Sequence, residues 1–424
     1  MKLIHDNLWR DKIYKVLLQL IILGFVTLWL KGTNLVIILT GLFWLTEPDL
    51  RNKLKKALTN KLFLATITVF LIHVIGLVYT DYFNDGIKQI EIRASLLVFP
   101  LIFSTAPISR TTHDSLLKTF IWTCFFVGLI GIVNALILFN RTSNTVYLYS
   151  DNLLILINGQ AIYFALYLNV CLLFIWDLQR RNQLGKWKPV YLAVAAPILV
   201  TLIFLLASRM SLLILACIVC LGIITFIVKQ KRYLMGAMLC TVVVLTVIVL
   251  AFAFPKTINR FKSLTYFHFD YKNSEEVYHF NDENFVEKWN GLTVRLAIWS
   301  CAVQEYIKVP FFGTGTGGYM PALRQCYQEK EFVLGIRHDY SPHNQYIQML
   351  LSFGAFGFLI FLFALIYPLH YSYKTGDLLY LIFCIFMLLN MTTEDVFGTF
   401  RGVAFYAFIN SMILFQPRKE QDKS

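Results

Sequence analysis

The sequence contains few charged residues for its length. Of its 424 residues, 15% are charged and 57% are hydrophobic, whereas a soluble domain carries about 25% charged residues. The apolar residues fall in blocks, many of them about 17–25 residues long, and a helix of that length crosses about 30 Å of hydrocarbon. This pattern excludes a soluble globular fold and predicts an all-α polytopic membrane protein.

Several chemical signatures are also missing. The glycine run Gly313–Gly318 lacks the Lys and Ser/Thr of a phosphate-binding loop, so we interpret it as a turn. The histidines before the tenth apolar block show no HxH or HExxH spacing, and no DxD pair accompanies them, which predicts no metal and no cofactor. The net charge of +13 comes without a nucleic-acid-binding motif, so no nucleic-acid partner is expected.

The apolar blocks predict twelve transmembrane helices. The second, fourth and eleventh blocks are short, so their limits are approximate. The predicted spans are Ile13–Leu30, Leu35–Leu45, Leu62–Tyr79, Ala94–Ala106, Phe120–Phe139, Asn158–Trp176, Tyr191–Ala207, Met210–Val228, Tyr233–Phe254, Gln345–Leu369, Leu378–Met391 and Phe397–Phe415.

Lysine and arginine residues predict the orientation of these spans. With twelve spans, all the basic clusters lie on one side of the membrane, which is then the cytoplasmic side and holds both termini. The clusters are Lys2, Arg10, Lys12 and Lys15; Arg51, Lys53, Lys55, Lys56 and Lys61; Arg180 to Lys188; Lys229, Lys231 and Arg232; and Arg418, Lys419 and Lys423.

This topology divides the chain into three parts. Residues 1–254 form nine spans, residues 255–343 form a large periplasmic loop, and residues 344–424 form three spans and a cytoplasmic tail. A loop of this length is uncommon unless it has a function. It contains Cys301 and Cys326, and a disulfide between them is one possibility in an oxidising compartment.

Three arginines are candidates for binding an anion on the outward side. Arg209 stands between two apolar spans, where it either extends to the interface or lines a cavity. Arg295 and Trp299 share one face of a predicted interfacial helix, where a solvated arginine is the alternative. Arg93 follows the second outward loop and could instead pair with Glu91. Together these guanidinium groups could neutralise a diphosphate.

His343 is the candidate base. It stands directly before the tenth span in Ser341-Pro-His-Asn-Gln345, and Pro342 favours a helix start there. A lone histidine is usually structural. At this position, however, a neutral imidazole would meet both lipid head groups and a water-borne substrate.

These residues resemble the motifs of the bacterial O-antigen ligase superfamily. His343-Asn344 followed by Gly354 resembles its H-[NSQ]-x9-G signature, and Arg295, Trp299 and the stretch Pro310–Gly315 resemble its "R…W…hPlfGxG" stretch. Ser208-Arg209 and the segment from Arg93 to Pro100 resemble two further basic motifs. Gln160 stands where members often carry histidine, and it is a secondary candidate together with Asn344 and Trp299.

The resemblance implies a GT-C-like membrane fold in the bacterial inner membrane. It also implies inverting, metal-independent transfer of a glycan from undecaprenyl diphosphate to the lipid A–core saccharide on the periplasmic face, in lipopolysaccharide biosynthesis. In this reaction His343 would be the base and the three arginines would bind the donor diphosphate. Membrane lipids, the lipid-linked donor and lipid A–core are the expected partners.

Other functions stay open at this point. An O-antigen polymerase or a protein O-glycosyltransferase of the same superfamily would use the same donor with another acceptor. A transporter of lipid-linked glycans would also explain twelve spans, but it predicts several mid-helix polar groups and a pseudo-repeat between the halves. Asn134 and His73 are the main polar residues within spans, and the two halves are asymmetric.

Overall fold

The computed structural model describes residues 2–27, 29–230, 233–235, 238, 241, 245, 267–274 and 289–417. Within these ranges the chain is helical and contains no strand. The first twelve helices are α1 (Lys2–Val26), α2 (Leu30–Leu45), α3 (Leu50–Thr59), α4 (Lys61–Gly76), α5 (Phe83–Arg93), α6 (Ser95–Thr105), α7 (Arg110–Thr142), α8 (Ser150–Leu153), α9 (Ala161–Arg180), α10 (Lys188–Val190), α11 (Ala196–Leu206) and α12 (Arg209–Gln230).

Six further helices follow the segment 267–274. They are α13 (Gly291–Lys308), α14 (Tyr319–Glu329), α15 (Val333–His338), α16 (Gln345–Thr375), α17 (Leu378–Asn390) and α18 (Phe400–Leu414). Short 3₁₀ turns occur at Thr145–Leu148, Ile155–Ile157 and Gly185–Trp187, and the π-helical turn Tyr191–Ala195 leads into α11.

Four segments of the described chain are long and apolar enough to cross a membrane. They are α7, α9, Gly185–Leu206 and α16, and the pair α3–α4, bent by 88°, would make a fifth. Four shorter apolar helices accompany them. The described residues are therefore those of a helical polytopic membrane protein, while the count of twelve spans stays a prediction. The predicted ninth span, most of residues 255–288 and the C-terminal basic cluster fall largely outside the described residues.

Aromatic residues form the centre of the helical bundle. Helix α1 packs on α7, α4 on α16, α6 on α18, and α9 on both α7 and α11. At their meeting point Phe25, Phe120, Tyr167 and Phe405 are buried and pack edge to face or tilted against one another. Pairs with this geometry contribute about 0.5–1.5 kcal/mol beyond the area they bury.

The described part of the large loop has a separate core. Helices α13, α14 and α15 enclose Trp289, Leu323 and Phe332. A disulfide links Cys301 on α13 to Cys326 on α14, with 5.6 Å between their Cα atoms, so the bond that the sequence left open is formed. The cross-link and the small core together hold these helices as one unit.

Helix α16 is broken at Gly354, the glycine of the histidine motif. Gly354 has φ 62° and ψ −167°, a conformation that is essentially restricted to glycine. The backbone groups released by the break are bonded by the large loop: Ala355 N–H donates to the Pro310 carbonyl at 2.8 Å, and Gly315 N–H donates to the Ser352 carbonyl at 2.8 Å. Non-helical backbone at membrane depth requires such partners within the protein.

The glycine run continues from this break to α4. The Thr316 hydroxyl donates to the His73 carbonyl at 2.6 Å, and Thr316 N–H donates to the Gly76 carbonyl at 3.1 Å. Gly313, Gly315 and Gly317 all have positive φ. The run is a turn, as the sequence predicted, and it also attaches the large loop to two membrane helices.

We expect Gly354→Ala to destabilise the protein strongly. A Cβ atom at this position would overlap the backbone of Phe311 and force alanine into a glycine conformation, so the cost should exceed about 2 kcal/mol. Thermal unfolding of the purified protein in detergent measures the effect. Gly376→Ala is the matched control, because Gly376 also has positive φ but no atom within 4 Å of its Cβ position. Equal melting temperatures for the two variants would contradict the packing role of the break.

Candidate active site

His343 lies in the turn that leads into α16. Its backbone is left-handed, with φ 47°, and its side chain is 32% exposed. The helix begins at Gln345, with Asn344 as its N-cap: the Asn344 side chain accepts hydrogen bonds from Tyr346 N–H and Ile347 N–H. The helix therefore begins where the predicted tenth span begins, at Gln345, three residues after Pro342, because the Asn344 side chain satisfies the first free N–H groups.

Trp299 fixes the turn from the side of α13. Its indole N–H donates to the Pro342 carbonyl at 2.8 Å, directly before His343. Trp299 thus supports the histidine through the backbone, and no side-chain contact between the two residues is described. Its selection as a secondary candidate from the sequence is compatible with this supporting position.

A short acidic loop, Met391–Phe397, connects α17 to α18 and lies against the start of α16. Asn344 Nδ2 donates to the Thr392 carbonyl at 2.9 Å. Gln345 N–H donates to the Met391 carbonyl, and the buried Gln345 side chain accepts from Phe397 N–H at 2.7 Å. These bonds hold the acidic loop beside His343.

Arg295 is bound to the acidic loop. Its Nη2 atom donates to Glu394 Oε1 at 2.9 Å and to the Thr393 carbonyl at 3.2 Å, and its Nη1 atom donates to the Gly291 carbonyl. The side chains of Arg295 and Glu394 are 20% and 8% exposed. Glu394 Oε2 lies 3.5 Å from His343 Nδ1. One carboxylate thus stands between the arginine and the histidine.

Arg209, the first residue of α12, lies near Arg295. A Cβ atom built on Gly291 would lie 3.2 Å from Arg209 Nη2 and 3.5 Å from Arg295 Nη1. Both guanidinium groups therefore border the first residue of α13. Two cations at one helix N-terminus, where backbone N–H groups add positive potential, form a favourable position for an anion.

Two buried charged residues, Asp395 and Arg93, lie on the inner side of the site. Arg93 is 1% exposed and donates to the Gln89 side chain and carbonyl. It interacts electrostatically with Tyr319 and Asp395. Burial raises the pKa of the Asp395 carboxyl, Glu394 adds to the rise, and His343 opposes it. Burial also raises the pKa of the Tyr319 hydroxyl. Because Arg93 is enclosed, its predicted contact with a diphosphate stays a prediction.

The described residues include one group that could hold a metal ion. Donor atoms of His343, Glu394 and Asp395 lie within 4.8 Å of one another. Glu394 already forms an ion pair with Arg295, and Asp395 interacts electrostatically with the guanidinium group of Arg93. This neutralisation weakens the attraction for a cation, so the arrangement favours the prediction of no metal without testing it.

The structure brings Arg209, Arg295, Asn344 and His343 together but leaves Gln160 apart. Gln160 precedes α9 and is exposed, and no hydrogen bond from its side chain to a site residue is described. The sequence interpretation missed Glu394 and Asp395. A signal was present, because they are the only acidic residues between Leu378 and Phe415, and ionisable groups between apolar spans usually have a function.

The comparison with known proteins finds one matching family. Residues 194–362 match the family model described as O-antigen ligase, and this range contains Arg209, Arg295, His343 and Gly354. No curated protein matches the chain. The apolar helices and the matched family together indicate a bacterial membrane protein. The resemblance seen in the sequence is confirmed: the match over residues 194–362 supports the O-antigen ligase superfamily.

Proposed function

We propose that this protein is an O-antigen ligase of the bacterial inner membrane. It transfers a glycan from undecaprenyl diphosphate to the lipid A–core saccharide on the periplasmic face, with inversion and without a metal. The observation that carries this proposal is the position of Arg209, Arg295 and His343 around Gly291 and the acidic loop. The proposal includes a GT-C-like fold, twelve spans and a periplasmic loop over residues 255–343.

The arginines stabilise the charge of the leaving group. A polyprenyl diphosphate departs without a proton if its developing negative charge is stabilised, and prearranged cations supply this stabilisation. Arg209 and Arg295 border one point at the start of α13, and the dipole of the helix adds positive potential at that end. Arginine suits this role because its planar fork binds two phosphate oxygens at once.

The histidine deprotonates the acceptor hydroxyl. The oxygen of an acceptor sugar hydroxyl attacks the anomeric carbon of the donor as His343 takes up the hydroxyl proton. The bond from the anomeric carbon to the diphosphate oxygen breaks, and its electron pair stays on the diphosphate. One in-line displacement inverts the anomeric carbon, and no pair of glycosidase carboxylates is required.

The direct test is a reconstituted reaction. Purified protein in liposomes is incubated with an undecaprenyl-diphosphate-linked glycan and lipid A–core, in the presence of EDTA. We expect one glycan block to be joined to each lipid A–core, with the opposite anomeric configuration and at an undiminished rate. Growth of lipid-linked chains would instead identify a polymerase, and transfer to protein would identify a protein O-glycosyltransferase. Loss of the reaction in EDTA, restored by a divalent cation, would contradict the metal-free mechanism.

A further inference from the structure

Glu394 lies between Arg295, the proposed donor-binding residue, and His343, the proposed base. Its Oε1 atom lies 2.9 Å from Arg295 Nη2, and its Oε2 atom lies 3.5 Å from His343 Nδ1. The first distance is that of a charge-assisted hydrogen bond, and the second is longer than an ordinary hydrogen bond. The carboxylate is 8% exposed, so water screens its two interactions only weakly.

The unpaired atoms lie on the arginine and the histidine. Arg295 Nε and His343 Nδ1 are buried atoms with no hydrogen-bond partner among the described residues. Arg295 is held by Glu394 through one of its terminal nitrogens, whereas His343 Nδ1 has no acceptor in the described part of the chain. The described arrangement therefore pairs Glu394 with the donor-binding residue and leaves the base without an orienting bond.

A bound donor diphosphate would compete with Glu394 for Arg295. It carries more negative charge than one carboxylate, and Arg295 can offer it both Nη2 and the unpaired Nε. When the diphosphate takes over Arg295, the carboxylate of Glu394 loses its counter-charge in a poorly solvated place, which is costly. His343 Nδ1 lies 3.5 Å from Glu394 Oε2 and has no hydrogen-bond partner among the described residues, so its N–H can replace the arginine. A contraction of the 3.5 Å separation would make this hydrogen bond and leave Nε2 as the proton acceptor.

We propose that Glu394 is a positioning residue that exchanges partners: donor binding releases it from Arg295, and it then orients His343 as the base. This inference rests on the proposed function. It makes the base competent only when the donor is in place, and so couples donor binding to deprotonation of the acceptor. Asp395 from the same loop interacts electrostatically with His343 as well, and the Tyr340 ring lies 6.1 Å from the imidazole.

The test is Glu394→Gln, which keeps the shape of the side chain and removes its charge. In the reconstituted reaction we expect kcat to fall about 10- to 100-fold, because a poorly oriented base loses part of the 10²–10⁴-fold that general base catalysis contributes. The KM for the donor should fall, because Arg295 no longer has a competing carboxylate. The acid limb of the pH–rate profile should move to lower pH, since the imidazole has lost an anionic neighbour. Glu394→Asp should restore part of kcat.

Asp339→Asn is the matched control. Asp339 pairs with Arg324 on the surface of the same loop, so its neutralisation should leave kcat, KM and the pH profile unchanged. A Glu394→Gln variant with the wild-type kcat and pH profile would overturn the inference. A fall in kcat with a higher donor KM and a lower melting temperature would also overturn it, because that is the behaviour of a purely structural ion pair.

A binding measurement separates this inference from the proposed function. If the wild-type protein transfers no glycan, the ligase proposal fails, but farnesyl diphosphate can still be titrated against both proteins by calorimetry. Tighter binding to Glu394→Gln than to wild type, by several-fold, supports the exchange on Arg295. Equal or weaker binding overturns it, whatever reaction the site catalyses.

Discussion

His343→Ala is expected to reduce the rate of glycan transfer by about 10²–10⁴-fold, the range that general base catalysis contributes. The donor KM should change little, because in the proposed mechanism His343 contacts the acceptor hydroxyl and not the diphosphate. His343→Gln should be equally inactive, since an amide can accept a hydrogen bond but cannot take up a proton at neutral pH. Initial rates with saturating donor and varied lipid A–core measure the effect.

His338→Ala is the control for this variant. His338 is the exposed last residue of α15 on the same loop and stacks on Tyr340, so its removal should leave the rate near that of the wild type. Melting temperatures of both variants should match the wild type, because neither side chain fills the core. If His343→Ala retained full transfer, the base would have to be another group.

Arg295→Ala should have the second largest effect. The loss of one prearranged cation at a developing charge costs about 10²–10³-fold in rate, and here it should appear as a lower kcat/KM with a higher donor KM. Arg295→Lys should restore charge but only part of the activity, because an ammonium group cannot form the planar fork. Donor titrations in the reconstituted reaction measure both parameters.

Removal of Arg295 also leaves Glu394 without its counter-charge, which can lower stability. Arg324→Ala is the matched control, because Arg324 forms an ion pair with Asp339 that is about half exposed; it should change neither stability nor donor KM. The double variant Arg295→Ala with Glu394→Gln removes the unpaired charge. If it recovers stability but not donor binding, Arg295 acts on the donor. Recovery of both would show that Arg295 only balances Glu394.

The sequence predicted those parts of the molecule that depend on local pattern. The apolar blocks predicted membrane helices because an uninterrupted apolar run of this length matches the thickness of the bilayer hydrocarbon. Arg209 was selected because an ionisable group at membrane depth usually has a function. Arg295 was selected for its place on an interfacial helix and His343 for its place before the tenth span. The structure adds that both residues meet at Glu394.

Features that depend on tertiary contacts were missed. Glu394 and Asp395 follow the site residues by about fifty positions or more, and nothing local shows that the acidic loop returns to the start of α16. The burial of Arg93 and its electrostatic interaction with Asp395 were also unforeseen, and its contact with a diphosphate stays a prediction. The break at Gly354 was also unforeseen, because its free backbone groups find partners in a segment about forty residues earlier.

A structure of the protein with a bound, non-hydrolysable undecaprenyl diphosphate analogue tests the central claim most directly. The claim predicts that phosphate oxygens lie within hydrogen-bond distance of Arg209 and Arg295. It also predicts that Arg295 Nη2 has moved away from Glu394 and that Glu394 is within hydrogen-bond distance of His343 Nδ1. A diphosphate bound elsewhere, with the 2.9 Å contact between Arg295 and Glu394 intact, would contradict it.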